Sequence, residues 1–74
     1  MFTVTYFNCA PVFEQHDFGT FETTDDAIFA CLTQVKKRDD FAGVLQVERG
    51  KRGASLAVRL GDMIRSYVIS PCAS

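Results

Sequence analysis

The 74 residues give room for one domain, residues 1–74, with a core only marginally sufficient to hold it, so added stabilisation from a partner is expected. An apolar fraction of 47% against 23% charged residues excludes a disordered tail. The net charge of −1 hides a segregation that bears on partners rather than on fold: residues 1–35 hold Glu14, Asp17, Glu22, Asp25 and Asp26 and no base (−5), while residues 36–74 hold all eight bases against Asp39, Asp40, Glu48 and Asp62 (+4).

Phe2, Val4 and Tyr6 alternate with Thr3 and Thr5, residue types that suit a half-buried pleated surface, and this predicts a first strand over residues 2–7. Asn8-Cys9-Ala10-Pro11 breaks it. Residues 12–18 alternate less cleanly and Gly19 follows, so the second strand is expected to be irregular and bulged. Thr23 then stands as a helix cap with Asp26 three residues on, and Asp25 and Asp26 place negative charge at the positive end of the helix dipole. Ala27, Ile28, Cys31, Leu32 and Val35 recur at helical spacing as one apolar stripe. Lys36, Lys37 and Arg38 close the helix where its dipole favours cations.

After Asp39-Asp40, residues 43–48, 54–60 and 63–69 read as strands three, four and five. Gly61-Asp62 is a two-residue hairpin turn, which sets Leu60 opposite Met63, Val58 opposite Arg65, Leu56 opposite Tyr67 and Ala54 opposite Ile69. Leu56, Val58, Leu60, Met63, Tyr67 and Ile69 thereby share a core face. The other face, with Ser55, Ala57, Arg59, Ile64, Ser66 and Val68, carries more branched apolar residues than a solvated face requires and is open to a subunit or partner. "ERGKRGAS", residues 48–55, lacks the GxxxxGK[ST] phosphate-loop pattern, and its glycines are expected to supply positive φ in a turn between strands three and four. The resulting fold class is α+β: an antiparallel sheet of about five strands with one helix on one face, in the order ββαβββ.

No residue pattern calls for a cofactor or a metal. Cys9, Cys31 and Cys72 form an odd set without a CxxC pair, which fits a reducing cytosol better than a disulfide framework. A site from Cys9, His16 and Cys72 would need a fourth ligand and a fixed tail. His16 is the one histidine, so nucleophilic chemistry would have to run through a Cys9–His16 pair brought together by the first hairpin; this is the enzymatic alternative to a non-enzymatic protein. Asp25-Asp26 and Asp39-Asp40 are accounted for by capping and by a turn. Without a signal peptide or an apolar run near the roughly 20 residues of a membrane span, the chain is expected to be cytoplasmic and not in a membrane.

The remaining features point to binding. Glu14, Asp17, Glu22, Asp25 and Asp26 are expected to form an acidic surface able to occupy a positively charged channel built for phosphates. Arg49, Lys51 and Arg52 make a second, basic contact patch. The same three bases together with Lys36, Lys37 and Arg38 support the alternative of a small nucleic-acid-binding module, although six of the seven phenylalanines lie in the base-free half.

From "FTVTYF" through "TTDDAIFACLTQVKKR" to "MIRSYVIS", the architecture resembles the small sheet-and-helix inhibitors of the anti-CRISPR type that phages and mobile elements use against host machinery. No motif is shared, so no residue is carried over. The resemblance implies a non-enzymatic protein in the host cytosol, a monomer or weak homodimer. Its partner would be a host protein complex, such as a CRISPR-Cas effector, whose DNA recognition it blocks through a charged surface.

Overall fold

The computed structural model describes residues 1–9 and 13–72 and has the element order β1 (Phe2–Asn8), β2 (Glu14–Phe21), α1 (Thr24–Lys36), β3 (Phe41–Arg49), β4 (Ala54–Leu60) and β5 (Met63–Pro71). The five strands form one antiparallel sheet in the spatial order β2-β1-β5-β4-β3. The fold is therefore α+β with the expected ββαβββ succession. α1 carries the chain from one edge strand, β2, to the other, β3, and the chain then returns strand by strand until β5 docks beside β1 at the centre.

The helix begins where its cap chemistry places it. Thr23 is extended, and its Oγ1 accepts a hydrogen bond from the Asp26 N–H at 3.0 Å. Ala27, Ile28, Cys31 and Val35 are buried, and Leu32 packs half-buried beside them. They meet Val4, Leu56, Val58, Leu60, Tyr67 and Ile69 from the three inner strands, with Phe2, Phe18, Phe21, Phe41 and Met63 along the margins. Full burial of each large aliphatic side chain in such a layer contributes about 1.5–3 kcal/mol, the main favourable term available to so small a chain.

The β4–β5 register is the one that the Gly61-Asp62 turn predicts, from Leu60 opposite Met63 to Ala54 opposite Ile69. Gly61 takes φ +61°, and its N–H donates to the Asp40 carbonyl at 2.7 Å, which ties this turn to the entry of β3.

Three expectations need correction. β2 does not stop before Gly19 but continues to Phe21. The register against β1 shifts between Val4 and Thr5, leaving Phe18 unpaired, and Gly19 takes φ +148°. This bulge turns Phe18 against the margin of the core, with ring centroids 6.3 Å from Tyr6, 5.9 Å from Phe21 and 5.9 Å from Tyr67. The expected strand start at Val12 and the break at Ala10-Pro11 fall outside the described residues. β3 starts at Phe41, two residues earlier than expected, because Phe41 pairs with Leu60 and the strand absorbs Ala42 and Leu45 as bulged residues.

The third correction concerns "ERGKRGAS". Neither Gly50 nor Gly53 has positive φ. The turn is closed by the Gly50 N–H donating to the Gly53 carbonyl at 2.8 Å. Gly53 is needed for a different reason: a Cβ there would lie 2.1 Å from the Ile69 carbonyl oxygen on β5. Gly53→Ala is therefore expected to lower stability by about 2 kcal/mol or more, because backbone on both sides must shift. Gly50→Ala meets only an ordinary contact at 3.8 Å and should leave the thermal midpoint nearly unchanged. Equal midpoints for the two variants would show that this close approach is not a constraint.

Candidate interaction surfaces

Register and alternation assign the paired strand residues to faces. On the helix side, one row runs Glu14–Asn8–Arg65–Val58–Val44 and the next His16–Tyr6–Tyr67–Leu56–Val47. On the opposite side, one row runs Asp17–Thr5–Val68–Ser55–Glu48 and the next Gln15–Phe7–Ser66–Ala57–Gln46.

These rows divide the five acidic residues. Glu14 lies on the helix side and its Oε2 is 2.9 Å from His16 Nε2. Asp17 lies on the opposite side. Glu22, Asp25 and Asp26 stand at the helix start, all exposed, and the Arg49 guanidinium donates to Asp25 Oδ1. At this degree of exposure the Asp25–Arg49 pair contributes little to stability, yet it places a cation from the basic half of the chain beside the acidic helix start.

The basic residues divide as well. Arg49 and Arg52 line an open depression of about 450 Å³ at the hairpin tip, floored by Ile69, Ser70 and Pro71, and Lys51 caps the same tip. Lys36, Lys37 and Arg38 lie at the other end of the helix, which is roughly 20 Å long at 1.5 Å per residue. Arg38 donates to both carboxylate oxygens of Asp40, at 2.8 and 3.0 Å, and these bonds hold the Asp40 carboxyl below its ordinary range. Two of the six candidate phosphate contacts, Arg38 and Arg49, are thus in ion pairs, and the six do not form one patch.

Cys9 and His16 are not brought together. His16 pairs with Tyr6 and stacks on its ring at 5.1 Å, whereas Cys9 lies three residues further along, about 10 Å at strand spacing. Cys72 is at the far end of β1, its Sγ 2.7 Å from Thr3 Oγ1. No three His, Cys, Asp or Glu side chains converge among the described residues. Burial pushes the Cys31 thiol up to about 12, while Cys9 is exposed. A thiol-reactive probe at neutral pH is expected to label Cys9 and spare Cys31 in the folded protein, and His16→Ala should leave the Cys9 rate unchanged. A slower rate in that variant would restore the pair.

Arg65 is the residue whose position has the largest consequences and is the least obvious from its type. Only 5% exposed and without a carboxylate partner among the described residues, it donates from Nε to Asn8 Oδ1 at 2.8 Å and from Nη1 to the Tyr67 hydroxyl at 3.3 Å, with Gln34 Oε1 at 3.5 Å. Its guanidinium carbon lies 4.5 Å from the centre of the Tyr6 ring. The Tyr67 hydroxyl in turn donates to Gln34 in the last helical turn, where the dipole favours a nearby cation. Burial raises the Tyr67 hydroxyl above its ordinary range, although Arg65 pulls the other way. The signal was present in the hairpin register, which sets Arg65 opposite Val58 on the core face. Arg65→Leu would leave Asn8, Gln34 and Tyr67 without their shared donor, so a loss of about 1–3 kcal/mol is expected in denaturant titration. An unchanged midpoint would show the network to be incidental.

No described helix or strand covers the face opposite α1. Val68 and Ile64 stay 39% and 44% exposed, and Phe13 packs against Phe7 with ring centroids 5.7 Å apart. The Val68 row ends in a carboxylate at each edge, Asp17 on β2 and Glu48 on β3. Four strand spacings of about 4.8 Å separate these two, roughly 19 Å. No described helix is long and apolar enough to cross a membrane. No protein-family model matches the chain, and comparisons with curated proteins and with solved structures return no match.

Proposed function

We propose that this chain is a non-enzymatic interaction protein that docks on a protein partner through the sheet face opposite the helix. The observation that carries this reading is the Asp17–Thr5–Val68–Ser55–Glu48 row, with exposed Val68 at its centre and a carboxylate at each edge, two rows along the same face from exposed Ile64. Such a face fits a surface with an apolar centre flanked by basic groups about 19 Å apart. Surfaces that grip nucleic acid carry basic groups of this kind. The narrower proposal is therefore inhibition of a nucleic-acid-handling complex of the CRISPR-Cas effector type through this face.

A mobility-shift assay with a purified Cas effector complex and its target DNA tests the narrower proposal. Excess wild-type protein is expected to abolish the effector–DNA shift, and Asp17→Lys/Glu48→Lys or Val68→Lys should restore it with the fold intact by circular dichroism. A shift that persists with wild-type protein sinks the narrower proposal. If the protein alone retards the bare duplex, with a steep loss at higher salt, the nucleic-acid-binding alternative takes its place.

A further inference from the structure

We infer that the open depression at the β3–β4 hairpin tip is a binding site for a phosphate monoester. Its volume of about 450 Å³ suits a ligand of mononucleotide size rather than a lone anion. Backbone sets its shape. The missing Cβ of Gly53 lets the tip lie against the Ile69 carbonyl, and the Gly50 N–H closes the turn on the Gly53 carbonyl at 2.8 Å. A site walled in this way exists before its ligand arrives, which lowers the cost of binding.

The lining supplies the chemistry. Arg49 and Arg52 bring two guanidiniums, planar forks that match phosphate oxygens, and Ser55 and Ser70 bring hydroxyl groups. Arg52 is exposed and in no ion pair among the described residues. Ile69 and Pro71 offer apolar surface to the body of the ester. Two carboxylates stand nearby, outnumbered by the three cations of the tip, Lys51 included. Glu48 accepts a hydrogen bond from Gln46 on the reverse face. Asp25 holds Arg49 from the helix start, so this guanidinium is already engaged by an oxyanion. Both members of that pair are exposed, and such a pair is weak. A phosphate dianion, with more charge and three acceptor oxygens, displaces the single carboxylate, which makes Asp25 an internal competitor for the site. The inference stands apart from docking through the reverse face, since neither Asp17 nor Val68 lines the depression.

Amide chemical-shift titration of the full chain at constant ionic strength tests the inference. Adenosine monophosphate is expected to bind saturably, with its largest shifts at Gly50, Gly53, Ser55 and Ser70, and adenosine is not. Arg49→Gln/Arg52→Gln should weaken binding by roughly tenfold or more through loss of charge-assisted hydrogen bonds. Lys36→Gln/Lys37→Gln removes the same charge at the other end of the helix and should leave binding unchanged. Asp25→Asn should tighten it by up to about fivefold, the worth of an exposed ion pair. A short single strand with and without a terminal phosphate separates the two sources of the ester. A terminal phosphate that carries strand binding beyond that of adenosine monophosphate assigns the site to a strand end; otherwise the free nucleotide is the ligand. Absence of saturable binding by either through the low millimolar range overturns the inference. So does equal binding of adenosine and its monophosphate, equal loss in the two double-glutamine variants, or weaker binding by Asp25→Asn.

Discussion

A single helix about 10 Å wide cannot cover a sheet of five strands, which spans roughly 19 Å between its edge strands. Most of the structure follows from that mismatch. The core lies where α1 faces β1, β5 and β4, and the fully buried residues Val4, Leu56, Val58, Tyr67 and Ile69 all come from these inner strands. Beyond the helix, Val44 and Val47 have the helix-side orientation of core residues but no cover. The reverse face likewise has no cover from any described helix or strand. A short chain of this architecture therefore presents two uncovered surfaces of different kinds, an edge and a face.

Within the small core, one charge is accommodated with no carboxylate in salt-bridge contact among the described residues. Arg65 uses two amide oxygens, one phenol and one aromatic face in place of a carboxylate. Because these partners come from β1, β5 and α1, the guanidinium links three elements that are distant in sequence. Hydrogen bonding of this kind offsets the desolvation of a buried cation only when the partners are held in place. The aromatic cluster of Tyr6, Phe18 and Tyr67 provides that support.

The charge segregation along the chain does not survive as two opposed surfaces. β5, from the basic half, inserts beside β1, from the acidic half, and the helix start meets the end of β3 through Asp25 and Arg49. The five early carboxylates are distributed over two sheet faces and a helix terminus. Glu48, from the basic half, becomes the counterpart of Asp17 across the reverse face. An inference from linear charge to surface charge fails here because strand order differs from chain order.

The features legible in the sequence are those set over a few residues. The Gly61-Asp62 turn leaves only one register that keeps Leu56, Val58 and Leu60 on a single face, and Thr23 with the stripe from Ala27 to Val35 defines the helix and its buried side, because both depend on neighbouring chain geometry. The composition likewise marked a folded chain, and the order of strand and helix patterns its α+β class. Only tertiary structure decided the features that join distant segments. It set β5 against β1, which buries Arg65 beside Asn8; it brought the Ile69 carbonyl against Gly53, replacing a turn requirement with a packing one; and it carried β3 past the reach of the helix. Each of these depends on which strands become neighbours, and that is settled by the competition of whole faces for one helix rather than by any local pattern of residues.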